Sequence, residues 1–126
     1  MFDKINLYQG GMNVAINQEW VQLTDNSKRR IAQILDGSML VEMAFEHPVD
    51  ENSAIATHKH FHEQITYIKK GTFKFLIIHE NGEQEERIVN EGDTLALRSN
   101  VEHGCIPLAE NSIFMDFFNP IRVDLL

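Results

Sequence analysis

The sequence has little cysteine and few basic residues, and each shortage narrows what the protein can be. Its single cysteine, Cys105, excludes a disulfide within the chain. Eleven lysine and arginine residues stand against nineteen aspartates and glutamates, which gives a formal net charge of −8. This balance disfavours nucleic acid as a partner, because phosphate binding needs clustered cations. The one tight basic run, Lys28-Arg29-Arg30, adjoins a predicted turn and is interpreted as a solvated turn.

Long apolar runs are also missing. The longest run, 75–78, is far shorter than the roughly 18 apolar residues of a membrane span, so we expect no membrane partner. The first eleven residues lack the basic and apolar regions of a secretory signal, and we therefore expect a cytoplasmic protein. With 43% hydrophobic residues in 126, the chain is predicted to fold as one globular domain over 1–126.

No stretch of the chain shows a convincing helical period over three turns. The apolar residues fall instead into short β segments separated by turn residues, of which Asn81-Gly82 is a strong hairpin signal. About eight to ten short strands in one small domain predict an all-β sandwich or barrel. The clearest predicted strands are 30–35, 38–46, 54–69, 72–79, 84–89, 94–97 and 112–118.

The chain is rich in histidine at one place. His58 and His60 are separated by one residue, Gln64 follows four residues later, and His103 lies about forty residues further on. Imidazole nitrogens and an amide oxygen suit one divalent transition metal ion, which can be Ni, Zn, Fe, Mn or Co. The alternative is a set of surface histidines on a polar strand. We interpret the grouping as a metal site with open positions for water or substrate.

Strand parity sharpens this ligand set. If residues 58–66 form a regular strand, the three alternate histidines share one face with Gln64, and Glu63 falls on the other face. This favours Gln64 over Glu63 as the ligand. His62 shares the face but is one ligand too many, so we expect it beside the ligands or at the rim of the site. Cys105 shares its strand parity with His103 and either lines the site or is a small buried residue.

A carboxylate stands between two aromatic residues on the last predicted strand. Phe114, Asp116 and Phe118 share one face of that strand. A buried carboxylate is costly unless it is paired or hydrogen-bonded, and such a position is a candidate for a tuned acid or base. The alternative is an exposed Asp116 on an edge strand.

The histidine region resembles the two motifs of the cupin superfamily. His58, His60, Gln64 and Gly71 stand at the spacings of the first motif, with Gln in place of Glu and Asn52 in place of the opening Gly. Gly92 and His103 match the second motif, whereas Arg98, Asn100 and Pro107 stand where it has Pro, Gly and Asn. The two motifs span 52–107. The resemblance implies a conical β-barrel of jelly-roll type and a homodimer, and the segment up to about Leu23 is expected to pair with a second chain's sheet edge.

A narrower resemblance links the chain to the KdgF-like group of small cupins, which linearise unsaturated uronates from pectin and alginate degradation. The string His58 to Gln64 and the ending at 114–124 carry it. In that group the Asp, Phe and Arg of the ending line the substrate pocket, which implies pocket roles for Asp116, Phe118 and Arg122 on the segment 112–124. The resemblance implies a metal-dependent enzyme that ketonises a small anionic sugar acid.

Three alternatives stay open at this point. Three histidines with an open coordination face also fit an Fe-dependent dioxygenase, although a neutral Gln64 stabilises a higher oxidation state less than an anionic ligand does. A non-catalytic module that binds a metal or a sugar acid is the second alternative. The third concerns Arg122 alone, which can form a surface pair with Asp124 instead of binding substrate.

Overall fold

The computed structural model describes residues 11–14 and 19–126. Within them, nine strands form two antiparallel sheets, and a single turn of 3-10 helix at Val123–Leu125 follows the last strand. The predicted all-β jelly-roll fold is thereby confirmed. The strands are β1 (Val21–Thr24), β2 (Ser27–Ile34), β3 (Met39–Phe45), β4 (Glu63–Lys70), β5 (Thr72–Ile78), β6 (Gln84–Asn90), β7 (Thr94–Leu97), β8 (Glu102–Pro107) and β9 (Ser112–Asn119).

Strand β9 occupies the middle of the larger sheet. The six strands of that sheet run in the order β1-β2-β3-β9-β4-β7, and the smaller sheet runs β6-β5-β8. β9 therefore pairs with β3 on one side and with β4 on the other. Asp116 therefore lies between Val41 on β3 and Thr66 on β4, which rules out the edge-strand environment considered for it.

Alternation of side chains decides which residues of β4 and β9 reach the interior. Along β4 exposed and buried residues alternate from Glu63 to Ile68, and Gln64 and Thr66 are among the buried ones. Along β9 the buried residues are every second one from Ser112 to Phe118. This is the period of two expected of strands with one face on a core.

Two apolar clusters fill the interior at its two ends. Ile31, Ile34, Met39, Val41 and Phe118 form one cluster. The second cluster is more aromatic, and rings 73, 75 and 114 in it pack edge-on or tilted, with centroids 5.1–6.3 Å apart. Edge-to-face packing is a favourable arrangement of aromatic rings. The remaining inner surface between the clusters lines a cavity.

The predicted hairpin at Asn81-Gly82 joins β5 to β6. The Gly82 amide donates to the His79 carbonyl over 2.8 Å, and Gly82 has a φ of +86°, which a glycine adopts without strain. Gly71, between β4 and β5, has a φ of +81° and packs against Ser112. Both turns thus use glycine where the backbone enters the left-handed region.

Two sequence-based interpretations of local structure are wrong. Lys28-Arg29-Arg30 is not a turn, because β2 begins at Ser27 and includes all three residues. The histidine segment is not a regular strand before Glu63, where β4 begins; His58 instead forms an isolated bridge with His103. His103 itself belongs to β8.

The segment up to about Leu23, which is expected to pair with a second chain, lies only partly within the described residues. Val21–Thr24 forms β1, which pairs with β2 of the same chain. The rest of the segment expected to pair with a second chain includes residues 1–10 and 15–18, which lie outside the described residues. Among the described residues, no helix is long and apolar enough to cross a membrane.

Candidate metal centre and active site

Three histidines from two parts of the chain converge at one end of the cavity. One ring nitrogen from each of His58, His60 and His103 lies within 4.8 Å of the others. The backbone holds two of them together, because the amide of each of His58 and His103 donates to the other's carbonyl over 2.9 Å. The isolated bridge therefore fixes the distance between a loop histidine and a strand histidine.

Backbone carbonyls orient two of the imidazole rings. Nδ1 of His60 lies 3.1 Å from the carbonyl oxygen of His62, and Nδ1 of His103 lies 2.8 Å from that of Val101. A ring that donates from Nδ1 presents its Nε2 lone pair to a metal. Burial lowers the pKa of all three histidines, that of His60 to about 4, so the rings are neutral near pH 7 as ligands must be.

Gln64 completes the donor set. Its Oε1 lies 3.2 Å from Nε2 of His60, while its Nε2 donates to the Thr66 hydroxyl over 3.0 Å. That second bond points the amide oxygen toward the histidines. Glu63 is exposed on the opposite face of β4, as strand parity predicts. Three imidazoles and one amide oxygen suit a divalent transition metal ion, and the arrangement fits such an ion.

His62 is buried beside this group without belonging to it. It is 7% exposed, and its ring centroid lies 5.4 Å from that of His60 and 4.0 Å from that of Phe61. Its Nδ1 has no hydrogen-bond partner among the described residues. The residue packs next to the donors, and its carbonyl is the group that orients the ring of His60.

Asp116 is buried on the central strand at 7% exposure. The Thr66 hydroxyl donates to its Oδ1 over 2.6 Å. Burial raises the pKa of this carboxyl to about 7, while the hydrogen bonds from Thr66 and Gln64 and the charge of Arg122 act in the opposite direction. An acid that titrates near neutrality can both accept and donate a proton at physiological pH.

Phe118 and Arg122 form one wall of the cavity. Phe118 is 3% exposed, and its ring lies edge-on to His60 with centroids 5.6 Å apart. The Arg122 guanidinium lies 5.1 Å from the centre of the Phe118 ring and pairs with both oxygens of Asp124, at 3.0 and 2.7 Å. The pair with Asp124 considered from sequence is thus present, and Arg122 lines the cavity as well.

The cavity has a volume of about 320 Å³ and brings together residues from both sheets. This volume is at the lower end of the range for small-molecule pockets. Cys105 lines the cavity, and burial and the nearby Asp116 raise the pKa of its thiol, which keeps it protonated. The predicted site residues that line it are His58, Gln64, His103, Asp116, Phe118 and Arg122.

Arg29 and Gly104 are among the residues of this site that sequence reasoning missed. Arg29 lines the cavity although it belongs to the basic run interpreted as solvated. Its parity with the apolar Ile31 on the same strand is the signal that marks its inward direction. Gly104 also lines the cavity, and a side chain there would meet the carbonyl group of Ala56. The position of Gly104 between His103 and Cys105 is the sequence signal that could have indicated it.

Comparison with known proteins decides the family. No protein-family model matches the sequence. The pectin degradation protein KdgF of Dickeya dadantii (strain 3937) is 38% identical over 109 residues, which are 85% of this chain and 90% of that protein. The chain belongs to the KdgF family of cupins.

Solved structures agree with this assignment. KdgF from Halomonas sp. superposes with a TM-score of 0.72 at 27% identity, over 86% of this chain and 91% of its own. An RmlC-like cupin from Shewanella frigidimarina NCIMB 400 gives a TM-score of 0.75 over 94% of this chain and 97% of its own. At 21% identity the second likeness supports the cupin fold alone. Both likenesses thus agree with the fold described above.

Proposed function

We propose that this KdgF-family cupin is a metal-dependent enzyme that linearises 4,5-unsaturated uronates from pectin or alginate degradation to their keto forms. The observation that carries the proposal is a chain of contacts that begins where Gln64 Oε1 lies beside Nε2 of His60. It continues by two hydrogen bonds, from the Gln64 amide to Thr66 and from the Thr66 hydroxyl to Asp116. It joins a donor set for a divalent cation to a buried acid at one cavity. Identity of 38% to a pectin degradation protein supports the substrate class.

The reaction needs one proton to leave and one to arrive. Opening the ring removes the proton of the anomeric hydroxyl and breaks the bond between C1 and the ring oxygen. Ketonisation of the resulting enolate delivers a proton to C4, so the overall change is an isomerisation. Asp116, with a pKa of about 7, is suited to both transfers. Thr66 holds the carboxyl in place for them.

The other residues bind and orient the sugar. A divalent ion held by His58, His60, His103 and Gln64 would supply positive charge for the substrate carboxylate and for the negative charge that develops on the ring oxygen. Arg122, which is 14% exposed at its side chain and pairs with Asp124, would donate to the substrate carboxylate. The ring of Phe118 lies beneath the Arg122 guanidinium.

The test follows loss of the ultraviolet absorbance of the conjugated double bond after wild-type protein, loaded with each candidate metal, is added to unsaturated galacturonate. Asp116→Asn is expected to keep its metal and lose at least 100-fold in kcat, since general acid–base catalysis contributes about 10²–10⁴-fold. The double variant His58→Ala, His103→Ala is expected to lose both metal and activity. An active Asp116→Asn would remove the assigned role, and an inactive metal-loaded wild type would remove the substrate class. In the latter case, oxygen consumption with added Fe(II) tests the dioxygenase alternative.

The outer face of the larger sheet supports a homodimer. Ile65 and Tyr67 on β4 and Phe117 on β9 are 52%, 45% and 41% exposed, and Ile65 pairs directly with Phe117. Adjacent apolar side chains of this size on one sheet face favour burial against another surface. Light scattering after size exclusion should give twice the mass of the chain, and Phe117→Lys should shift the mass toward that of a monomer.

A further inference from the structure

Arg29 occupies an inward position on β2 that the proposed chemistry does not use. It lies opposite Met43 on β3, which lies opposite Phe114 on β9. Directly opposed residues in adjacent strands share a face of the sheet, so Arg29 shares the inner face with Phe114. The neighbouring inward row contains Asp116, which lies opposite Thr66 on β4. Arg29 thus belongs to the row next to that of the proposed acid.

The charge of Arg29 has no counterpart in the described part of the chain. Its neighbour Arg30 points to the outer face, where it pairs with Glu42 at 2.7 Å and lies over Trp20. Lys28 also lies over Trp20. The side chain of Arg29 has no hydrogen bond or ion pair to residues 11–14 and 19–126. A half-buried guanidinium with five unmatched donors, facing a mostly apolar cavity, is suited to a ligand rich in oxygen.

The inward-facing residues of the larger sheet form successive rows along the barrel, and the spacing of the rows can be compared with the size of a sugar. Gln64 and Phe118 form the row at the metal end, Thr66 and Asp116 form the next, and the row of Phe114 and Arg29 follows. Successive inward rows are about 6.6–6.8 Å apart along the strands. In a uronate ring the carboxylate is on C5 and the anomeric oxygen is on C1, on the two sides of the ring oxygen. With the carboxylate at the metal end, C1 lies beside Asp116 and its oxygen points toward Arg29.

We propose that Arg29 is a substrate-binding residue that donates hydrogen bonds to the anomeric oxygens of a bound uronate, at the end of the cavity remote from the metal ligands. The identity of the ligand rests on the proposed function. Arg29 then fixes the anomeric hydroxyl beside Asp116, where the ring opens.

The test compares Arg29→Gln with Lys28→Gln, which removes an equal charge from the outward face of the same strand. Arg29→Gln is expected to raise KM for unsaturated galacturonate at least tenfold with metal content unchanged, while Lys28→Gln stays within twofold of wild type. Arg29→Lys should fall between them, because lysine keeps the charge without the planar fork of donors. Circular dichroism checks the fold of each variant, and Arg29→Lys serves if Arg29→Gln does not fold.

Calorimetric titration with saturated galacturonate and its 1-deoxy analogue separates this inference from the proposed function. Wild type should bind galacturonate at least fivefold more tightly than the analogue, and Arg29→Gln should bind the two equally. This result supports the role of Arg29 even if the wild type fails to convert the unsaturated sugar. Equal affinity of wild type and Arg29→Gln for galacturonate overturns the inference, as does a wild type that binds neither sugar.

Discussion

The hydroxyl of Thr66 donates a hydrogen bond of 2.6 Å to Oδ1 of Asp116 and accepts one of 3.0 Å from the amide of Gln64. A hydroxyl is among the few side-chain groups that can do both at once. Thr66 is fully buried, so neither bond competes with water. One small residue on β4 therefore fixes both the proposed acid and the amide that turns its oxygen toward the histidines.

Replacement of Thr66 tests that linkage. Thr66→Val keeps the shape but removes the hydroxyl that bonds the buried Asp116 carboxyl and the buried Gln64 amide, which costs about 1–3 kcal/mol of unfolding free energy. We expect kcat to fall at least tenfold, because Asp116 is no longer held. Thr66→Ser retains the hydroxyl and is the control for both effects. Thermal unfolding and steady-state kinetics check them, and a fully active Thr66→Val would contradict the positioning role.

Glu42 gives a prediction on stability and pH. It is 2% exposed on β3 and contacts Arg30 at 2.7 Å and Lys69 at 3.0 Å. Burial alone would raise the pKa of this carboxyl, but the two cations together lower it below its usual 4.5. Because the pKa is lower in the folded state, protonation favours unfolding. The stabilisation is complete above pH 4.5 and is lost as pH falls through the lowered pKa.

Glu42→Gln should therefore be destabilised by about 1–3 kcal/mol at pH 7, with a smaller difference from wild type as the pH falls below 4.5. Glu85→Gln is the matched control, since Glu85 contacts the largely exposed Arg87. An exposed pair of this kind contributes about 0–1 kcal/mol. Denaturant unfolding at a series of pH values measures both. A difference for Glu42→Gln that does not change with pH would contradict the linkage.

Alanine substitutions at Gly71 and Gly82 distinguish the cost of backbone strain from the cost of a steric conflict. Both have positive φ, +81° and +86°, so alanine is strained at either place. A Cβ on Gly71 would also lie 2.8 Å from the Cα of Ser112, whereas one on Gly82 meets nothing within 4 Å. Gly82→Ala should cost about 1–2 kcal/mol, and Gly71→Ala clearly more. Equal losses in denaturant unfolding would mean that the Ser112 contact yields without cost.

Gly104 is predicted to control metal affinity without being a ligand. A Cβ there would lie against the backbone carbonyl of Ala56, which must then move. Ala56 lies two residues before His58, whose amide and carbonyl are bonded to His103. Gly104→Ala is expected to weaken metal binding at least tenfold while all donors remain. Gly37→Ala, at a glycine with open space around it, is the control. Metal titration measures both, and unchanged affinity would show that the bridge tolerates the shift.

Strand parity allowed a good part of the site to be predicted from sequence. Gln64 and Glu63 fall on opposite faces, and Asp116 falls on the inner face with Phe114 and Phe118, because β4 and β9 are regular over those residues. The conformation of 58–62 was not predictable in this way. It is set by the bridge to His103, a contact between residues distant in sequence.

Arg29 escaped prediction for a local reason. Three consecutive cations resemble a solvated surface segment, yet in a strand the middle one points opposite to its neighbours. The register of β2 then shifts between Ile31 and Gln33, so the inner face continues at Ile34 instead of Gln33. A shift of this kind shortens the alternating pattern, so that parity with Ile31 alone marks the direction of Arg29.

The central position of β9 in its sheet also affects how the chain folds during its synthesis. The ribosome synthesises β9 after the other five strands of its sheet, yet β9 lies between β3 and β4. Until it emerges, those two strands have unpaired inner edges, and exposed edges of this kind favour aggregation. The nascent chain therefore cannot complete its larger sheet until β9 has left the ribosome. The strand that carries the proposed acid is also the one that ends this exposure.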